Sequence, residues 1–265
     1  MEKEALSKIE ALALKRLFIH QSSSFNYLLR AILASLFIGF GVIVAFKTGN
    51  FFYAEHSPLA YPVAALTFGV AIILIYYGGG DLFTGDTFYY TYAALRKQMA
   101  WRDVGKLWTY SYVGNIIGAI LFALLIYATG LFKDPSVNGF LISVAKGKTL
   151  VPTSELFFRG ILCNWLVCLA FFLPYRAKGD GPKMFIMMLL VFCFFISGYE
   201  HSIANFVTFS ISIATQHPDA VTLDGVIHNI IPVTIGNLIG GAVFMASKYH
   251  YLNKPFMVVD EDEAK

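Results

Sequence analysis

Three stretches of this chain, residues 28–46, 107–131 and 156–174, are apolar over about the 20 residues a helix needs to cross a bilayer core. No other feature narrows the fold as much, because backbone inside hydrocarbon must satisfy its own hydrogen bonds, which confines segments of this kind to helices. A fourth stretch, 225–247, has the length with a few polar interruptions. Two more are broken. The run 62–77 meets "GGGDLFTGD" and resumes as "TFYYTYAAL"; the run 184–196 meets "SGYEHSIAN" and resumes as "FVTFSISIA". Three consecutive glycines, Gly78 to Gly80, are poor in a helix interior and good where backbone bends, so each broken run reads as two half helices joined by an unwound turn. The composition fits: 57% hydrophobic and 14% charged residues, against about 45–50% and about 25% in a soluble domain, with a mean hydropathy of +0.63. The expected fold is an all-α membrane protein with six transmembrane helices, the second and fifth discontinuous.

Orientation follows from the basic residues. With the N terminus inside, 15 of the 20 lysines and arginines fall on the cytoplasmic side, and Lys47, Lys133, Lys146, Lys148 and Arg159 fall opposite. The positive-inside rule therefore puts both termini in the cytoplasm. The basic residues are scattered over loops and the net charge is +3, which makes nucleic acid a poor partner. Cys163, Cys168 and Cys193 lie in apolar runs, where a thiol behaves as a small hydrophobe; their spacing suggests no metal site. Residues 1–27 lack the short apolar core of a cleaved signal. Leu6, Ile9, Ala13 and Leu17 share one helical face, so this segment reads as a cytoplasmic N-terminal helix lying on the membrane surface or against the protein, and by position as a candidate gate. Residues 249–265 read as a cytoplasmic tail.

The two halves echo one another. "GNIIGAILFAL" at 114–124 and "GNLIGGAVFMA" at 236–246 share Gly-Asn, Ile-Gly and a Phe at matching offsets, and "RAILASLFIGF" from Arg30 echoes "RGILCNWLVCL" from Arg159. Residues 28–131 and 156–248 are then two copies of three spans within one channel domain covering 1–265. Three is odd, so the second copy enters the membrane from the other side. In an inverted repeat of this kind the substrate path runs between the halves, with the broken helices meeting near the midplane. Close helix packing accounts for Gly114, Gly118, Gly236, Gly240 and Gly241; it does not account for Asp81, Thr84, Glu200 and His201.

"GGGDLFTGDT", "FFRGILCNWLVCLA", "SGYEHSIAN" and "NIIPVTIGNLIGG" resemble, in order and over about residues 30–249, the signatures of the formate/nitrite transporter family. Taken whole, the chain is most similar to the hydrosulfide-channel branch of that family. The resemblance implies an aquaporin-like protomer in a homopentamer, in the inner membrane of a bacterium, conducting small anions (hydrosulfide, nitrite or formate) without a cofactor. It assigns His201, Thr84 and Asn164 to the polar centre of the pore and Lys148 to anion attraction. It also assigns Phe68, Leu82 and Phe194 to the outer constriction and Ile72, Phe83 and Val167 to the cytoplasmic one. Glu200 precedes the histidine; a carboxylate facing an anion path would repel substrate, so a structural role is expected, bonded to backbone N–H groups of the turn or to a neighbouring protomer.

A bare anion in an apolar constriction costs many kcal/mol, so its charge must be compensated or removed. His201 is the histidine set deep in an apolar run and titrates near neutrality when unperturbed. Either it supplies a proton, or it joins Thr84, Asn164 and helix-end N–H groups in replacing the anion's water shell. Enzymes fit poorly. Ser202 adjoins His201 and points away from it, "EHSIAN" is not the His-Glu-x-x-His of zinc proteases, and a haem carrier would need two facing histidines. An ion-coupled carrier shares the broken-helix plan.

Overall fold

In a computed structural model, which describes residues 2–215 and 221–254, the described residues form helices joined by short turns. The tail positions 255–265, including the acidic run at 260–263, lie outside the described residues. Helices α1 (Glu2–Ser22), α2 (Ser24–Ala54), α3 (Ala60–Phe68), α4 (Val70–Gly78), α5 (Phe83–Leu95) and α6 (Trp101–Thr129) are followed by α7 (Pro135–Thr149). Then come α8 (Thr153–Phe172), α9 (Asp180–Ile196), α10 (Ser202–Ala214) and α11 (Leu223–Ile239), which continues through a π-helix, Gly240–Ser247. Five helical stretches are long and apolar enough to cross a membrane: Ser24–Ala54, Ala60–Gly78, Trp101–Thr129, Thr153–Arg176 and Leu223–Lys254. The protein is thus an all-helical, multi-pass membrane protein.

Neither broken run divides into equal halves. Ala60–Gly78 has 19 residues, about 28 Å at 1.5 Å per residue, and α9 has 17, whereas α5 and α10 have 13 each. The turns fall where glycine permits them. Gly79 and Gly198 both take φ near +70°, left-handed backbone that only glycine adopts without strain.

α2 lies along α6 and α8 along α11. At these crossings a Cβ on Gly118 would stand 2.3 Å from the Ile32 carbonyl, and one on Gly236 2.3 Å from that of Phe157. Without side chains there, the backbones approach closely. α1 lies against the protein: Leu6, Ile9 and Ala13 are fully buried and Leu17 packs on the core. Arg16 follows them inward from the same helix.

Candidate functional site

Two four-residue turns, Gly79–Leu82 and Gly198–His201, deliver the starts of α5 and α10 to the middle of the molecule. They are held by the same hydrogen bonds. Asp81 N–H donates to Arg30 O and Glu200 N–H to Arg159 O, at 3.0 and 3.4 Å. Asn115 accepts from Phe83 N–H (2.9 Å) and donates to Ala31 O (2.7 Å) and Asp81 O (3.1 Å). Asn237 accepts from Ser202 N–H (2.8 Å) and donates to Gly160 O (2.8 Å) and Glu200 O (2.9 Å). A buried amide with one acceptor and two donors can satisfy a helix start and the turn carbonyl before it while tying both to a carbonyl of a neighbouring helix, α2 in one half and α8 in the other. The Gly-Asn pair shared by the two halves was visible in the sequence; its glycines suggested packing, and the asparagines prove to carry the turns.

The turns meet through their side chains. His201 caps α10, with Nδ1 accepting from Ala204 N–H at 3.1 Å, and its Nε2 lies 3.0 Å from Thr84 Oγ1 on the first turn of α5. An Nδ1 that accepts leaves the ring proton on Nε2, so the neutral imidazole donates to Thr84. Two helix N-termini converge here, each presenting partial positive charge. Asn164 also belongs to this centre, but its amide nitrogen faces inward protein groups: Thr84 O (3.0 Å), Thr87 Oγ1 (2.9 Å) and Asn237 O (2.6 Å).

Three cavities lie in a row, ordered by the residues they share. The first, about 30 Å³, is lined by Tyr61, Phe68, Lys148, Phe194, Tyr199 and His201 among others. The second, about 20 Å³, has Phe68, Ile72, Ile75, Leu82, Val167, Phe194 and His201 on its walls. The third, about 330 Å³, is lined by Lys15, Arg16, Arg30, Ile75, Leu82 and Tyr89 among others. The first two have room for about one or two waters each. Five of the six expected constriction residues therefore surround one small cavity beside His201, instead of forming two rings. Leu82, expected on the Lys148 side with Phe68 and Phe194, borders the large cavity on the Arg16 side, because the preceding Asp81 is held there by Arg16 and Arg30 at 2.7 and 3.0 Å. Phe83 lines none of the three. Its N–H is caught by Asn115, and its ring packs 4.8 Å from that of Tyr112 on α6.

Charges flank the centre on both sides. Lys148 donates to Glu200 Oε2 at 2.9 Å, and Asn205 donates to the same oxygen at 2.5 Å; Asn205 also donates to Asn229 (2.9 Å), which donates to Lys148 O (2.9 Å). The partners of Glu200 within the chain are thus the side chains of Lys148 and Asn205, where turn N–H groups or a neighbouring protomer were expected. Burial pulls the Lys148 ammonium down, and the Glu200 carboxylate outweighs it, so the lysine stands above its ordinary range. On the other side Arg16 pairs with both Asp81 and Asp86, and Asp86 accepts from Ser111 (2.6 Å) and Tyr27 (3.3 Å). Neither Asp86 nor Arg16 stood out in the sequence. The available signal was the spacing: Asp81 and Asp86 are five apart, as are Glu200 and Asn205. Among the described residues no group of three His, Cys, Asp or Glu side chains could hold a metal.

The family model described as formate/nitrite transporter matches residues 3–251. The chain belongs to the formate/nitrite transporter family. It is similar to the uncharacterized transporter YwcJ of Bacillus subtilis (62% identical; 96% of this chain and 99% of the relative) and to the nitrite transporter NirC of Escherichia coli (34%; 94% and 91%). Among solved structures it is similar to an "FNT family ion channel" (TM-score 0.88, 33% identical, 94% and 99% covered). It is also similar to a "pentameric formate channel with formate bound" (TM-score 0.75, 25%, 88% and 98%). A member of this family is a transporter or channel for small anions.

Proposed function

We propose that the protein is a passive channel for small monovalent anions in the bacterial inner membrane, its flux not saturating at low concentration, with hydrosulfide as its substrate. The observation that carries the channel reading is the meeting of two helix N-termini at the His201–Thr84 contact, beside a cavity that admits little more than one water. An anion there gains N–H dipoles without a fixed cation deep in the protein. Lys148, on the wall of the first cavity, attracts the anion; Glu200 holds the ammonium in place and spends its own charge on it. Phe68, Ile72, Val167 and Phe194 narrow the path, with Leu82 at its other end.

Six spans form an inverted 3+3 repeat with an aquaporin-like course, both termini are cytoplasmic, and five protomers associate. The matched bonds of Asn115 and Asn237, and of Arg30 O and Arg159 O, support the repeat. The pentamer rests on the similar formate channel. Hydrosulfide rests on the whole-chain resemblance; the nitrite transporter and formate channel among the relatives favour those anions as the second reading, and a proton-coupled carrier as the third. At His201 the capped Nδ1 favours hydrogen bonding to the passing anion over protonation of the ring, since an Nδ1 proton would break the Ala204 bond.

Flux of hydrosulfide, nitrite and formate into proteoliposomes, side by side at several pH values with internal pH recorded, tests this. Fastest hydrosulfide flux, unsaturated at millimolar concentration, is expected. Faster nitrite or formate flux transfers the assignment to that anion, and saturating exchange with obligatory proton movement overturns the channel.

A further inference from the structure

The carbonyl of Thr84 gathers three donors. Thr87 Oγ1 reaches it at 2.6 Å, Asn164 Nδ2 at 3.0 Å and Cys168 Sγ at 3.6 Å. Thr84, Thr87 and Asn164 are all fully buried, and Thr87 and Asn164 line none of the three cavities. Behind them stands the π-helix. A Cβ on Gly241, in its first turn, would lie 1.9 Å from Thr87 Oγ1 and 3.0 Å from Asn164 Nδ2, well inside contact. The Asn237 carbonyl, which accepts from Gly240 N–H where the π-helix begins, also accepts from Asn164 Nδ2 at 2.6 Å. This arrangement exists in one half only. At the offset of the shared Gly-Asn pair, Gly241 corresponds to Ala119 in the unbroken α6; general packing of the fold therefore does not require it.

We propose that Gly241 and Thr87 are positioning residues for the pore centre. Gly241, lacking a Cβ, admits Thr87 between the π-helix and Asn164. Thr87 and Asn164 together clamp the Thr84 carbonyl. With the carbonyl fixed, Thr84 Oγ1 is held at 3.0 Å from His201 Nε2, which sets the direction in which the imidazole N–H is presented. The inference rests on the reading of His201 and Thr84 as the pore centre.

The test is flux of hydrosulfide, nitrite and formate into proteoliposomes across a pH series, for Thr87→Val, Thr87→Ser, Thr87→Ala, Gly241→Ala and the double variant Gly241→Ala/Thr87→Ala, beside Thr84→Val and His201→Gln. Thr87→Val keeps the volume and loses the donor, and should lower flux roughly tenfold, the factor for one lost buried hydrogen bond, with a shifted pH profile and a changed ratio between anions. Thr87→Ser should recover most of that loss, and the double variant should lose less than the product of its two single losses, because the 1.9 Å contact is gone. Wild-type flux and pH profile in Thr87→Val overturn the proposal, as does equal loss for Val and Ser. If Gly241→Ala does not assemble, the Val and Ser pair decides. Unchanged flux in both Thr84→Val and His201→Gln would instead strike the pore-centre reading itself.

Discussion

Replacing Asn237 by alanine removes three hydrogen bonds of 2.8, 2.8 and 2.9 Å from the turn that carries His201. It strands the Ser202 N–H and the Glu200 carbonyl, both at buried residues, and frees the turn from the Gly160 carbonyl of α8. A buried hydrogen bond nets about 1 kcal/mol, and side-chain bonds between membrane helices average about 0.6 kcal/mol, so three together amount to about 2–3 kcal/mol before any cost of the stranded groups. At roughly 2–4 °C per kcal/mol for a chain of this size, the melting temperature in detergent should fall by roughly 4–12 °C. Asn115→Ala, which removes the matching three bonds from the other turn, should fall by a similar amount. Asn237→Asp keeps the acceptor for Ser202 N–H but turns an oxygen on two carbonyls, so it should be no milder than alanine. The assay is thermal unfolding of the purified protein, followed by flux on the assembled fraction. A melting temperature within about 1 °C of wild type for Asn237→Ala would refute the view that this amide holds the turn.

Lys148→Met leaves Glu200 buried with Asn205 alone and should cost about 3–5 kcal/mol, with Lys148→Met/Glu200→Gln recovering part of it; thermal melts decide, and an additive double variant counts against the pair. Because Glu200 raises Lys148 above its ordinary range, the stability this lysine contributes is fully present below the ordinary lysine value and lost only at still higher pH; flux between pH 5 and 9 should show no step that Lys148→Gln removes. Arg16→Leu should destabilise by about 3–5 kcal/mol, since Asp81 keeps Arg30 while Asp86 keeps only hydroxyl partners, and adding Asp86→Asn should restore much of the loss. Deleting residues 1–24 should alter both stability and flux; unchanged flux and pH dependence removes the N-terminal segment as a gate. Phe194→Ala, on two cavities, should change the ratio of anion fluxes, whereas Phe83→Ala, packed on Tyr112, should cost about 3–5 kcal/mol of stability and leave that ratio alone.

The sequence disclosed whatever depends on composition and local chain chemistry. Apolar length marked the crossing helices, the glycines at 79 and 198 marked where helices stop, and an imidazole in an apolar run marked the centre. It concealed what depends on which side a residue faces once the chain has turned. Leu82 and Phe83 are neighbours, and an amide on α6 decides that one borders a cavity while the other packs on Tyr112. Arg16 was not singled out on a helix expected at the membrane surface or against the protein, because its partners lie 65 and 70 residues away along the chain. Asn164 was grouped with the pore and is spent on holding Thr84. Such bonds between distant segments leave no periodic trace.

The start of α5 at Phe83 and of α10 at Ser202 has a consequence for how such a path can change. An attraction generated by aligned peptide groups has no proton to lose and no side chain to delete. It therefore persists at any acidity the fold tolerates, and a single substitution cannot reverse its sign. The aliphatic and aromatic wall, by contrast, can be reshaped one residue at a time. On the proposed function, the helix-end share of the preference for negative charge and the preference among negative ions are lodged in different parts of the molecule, and the second is free to drift while the first stays fixed; the share carried by Lys148 is the part a substitution can remove.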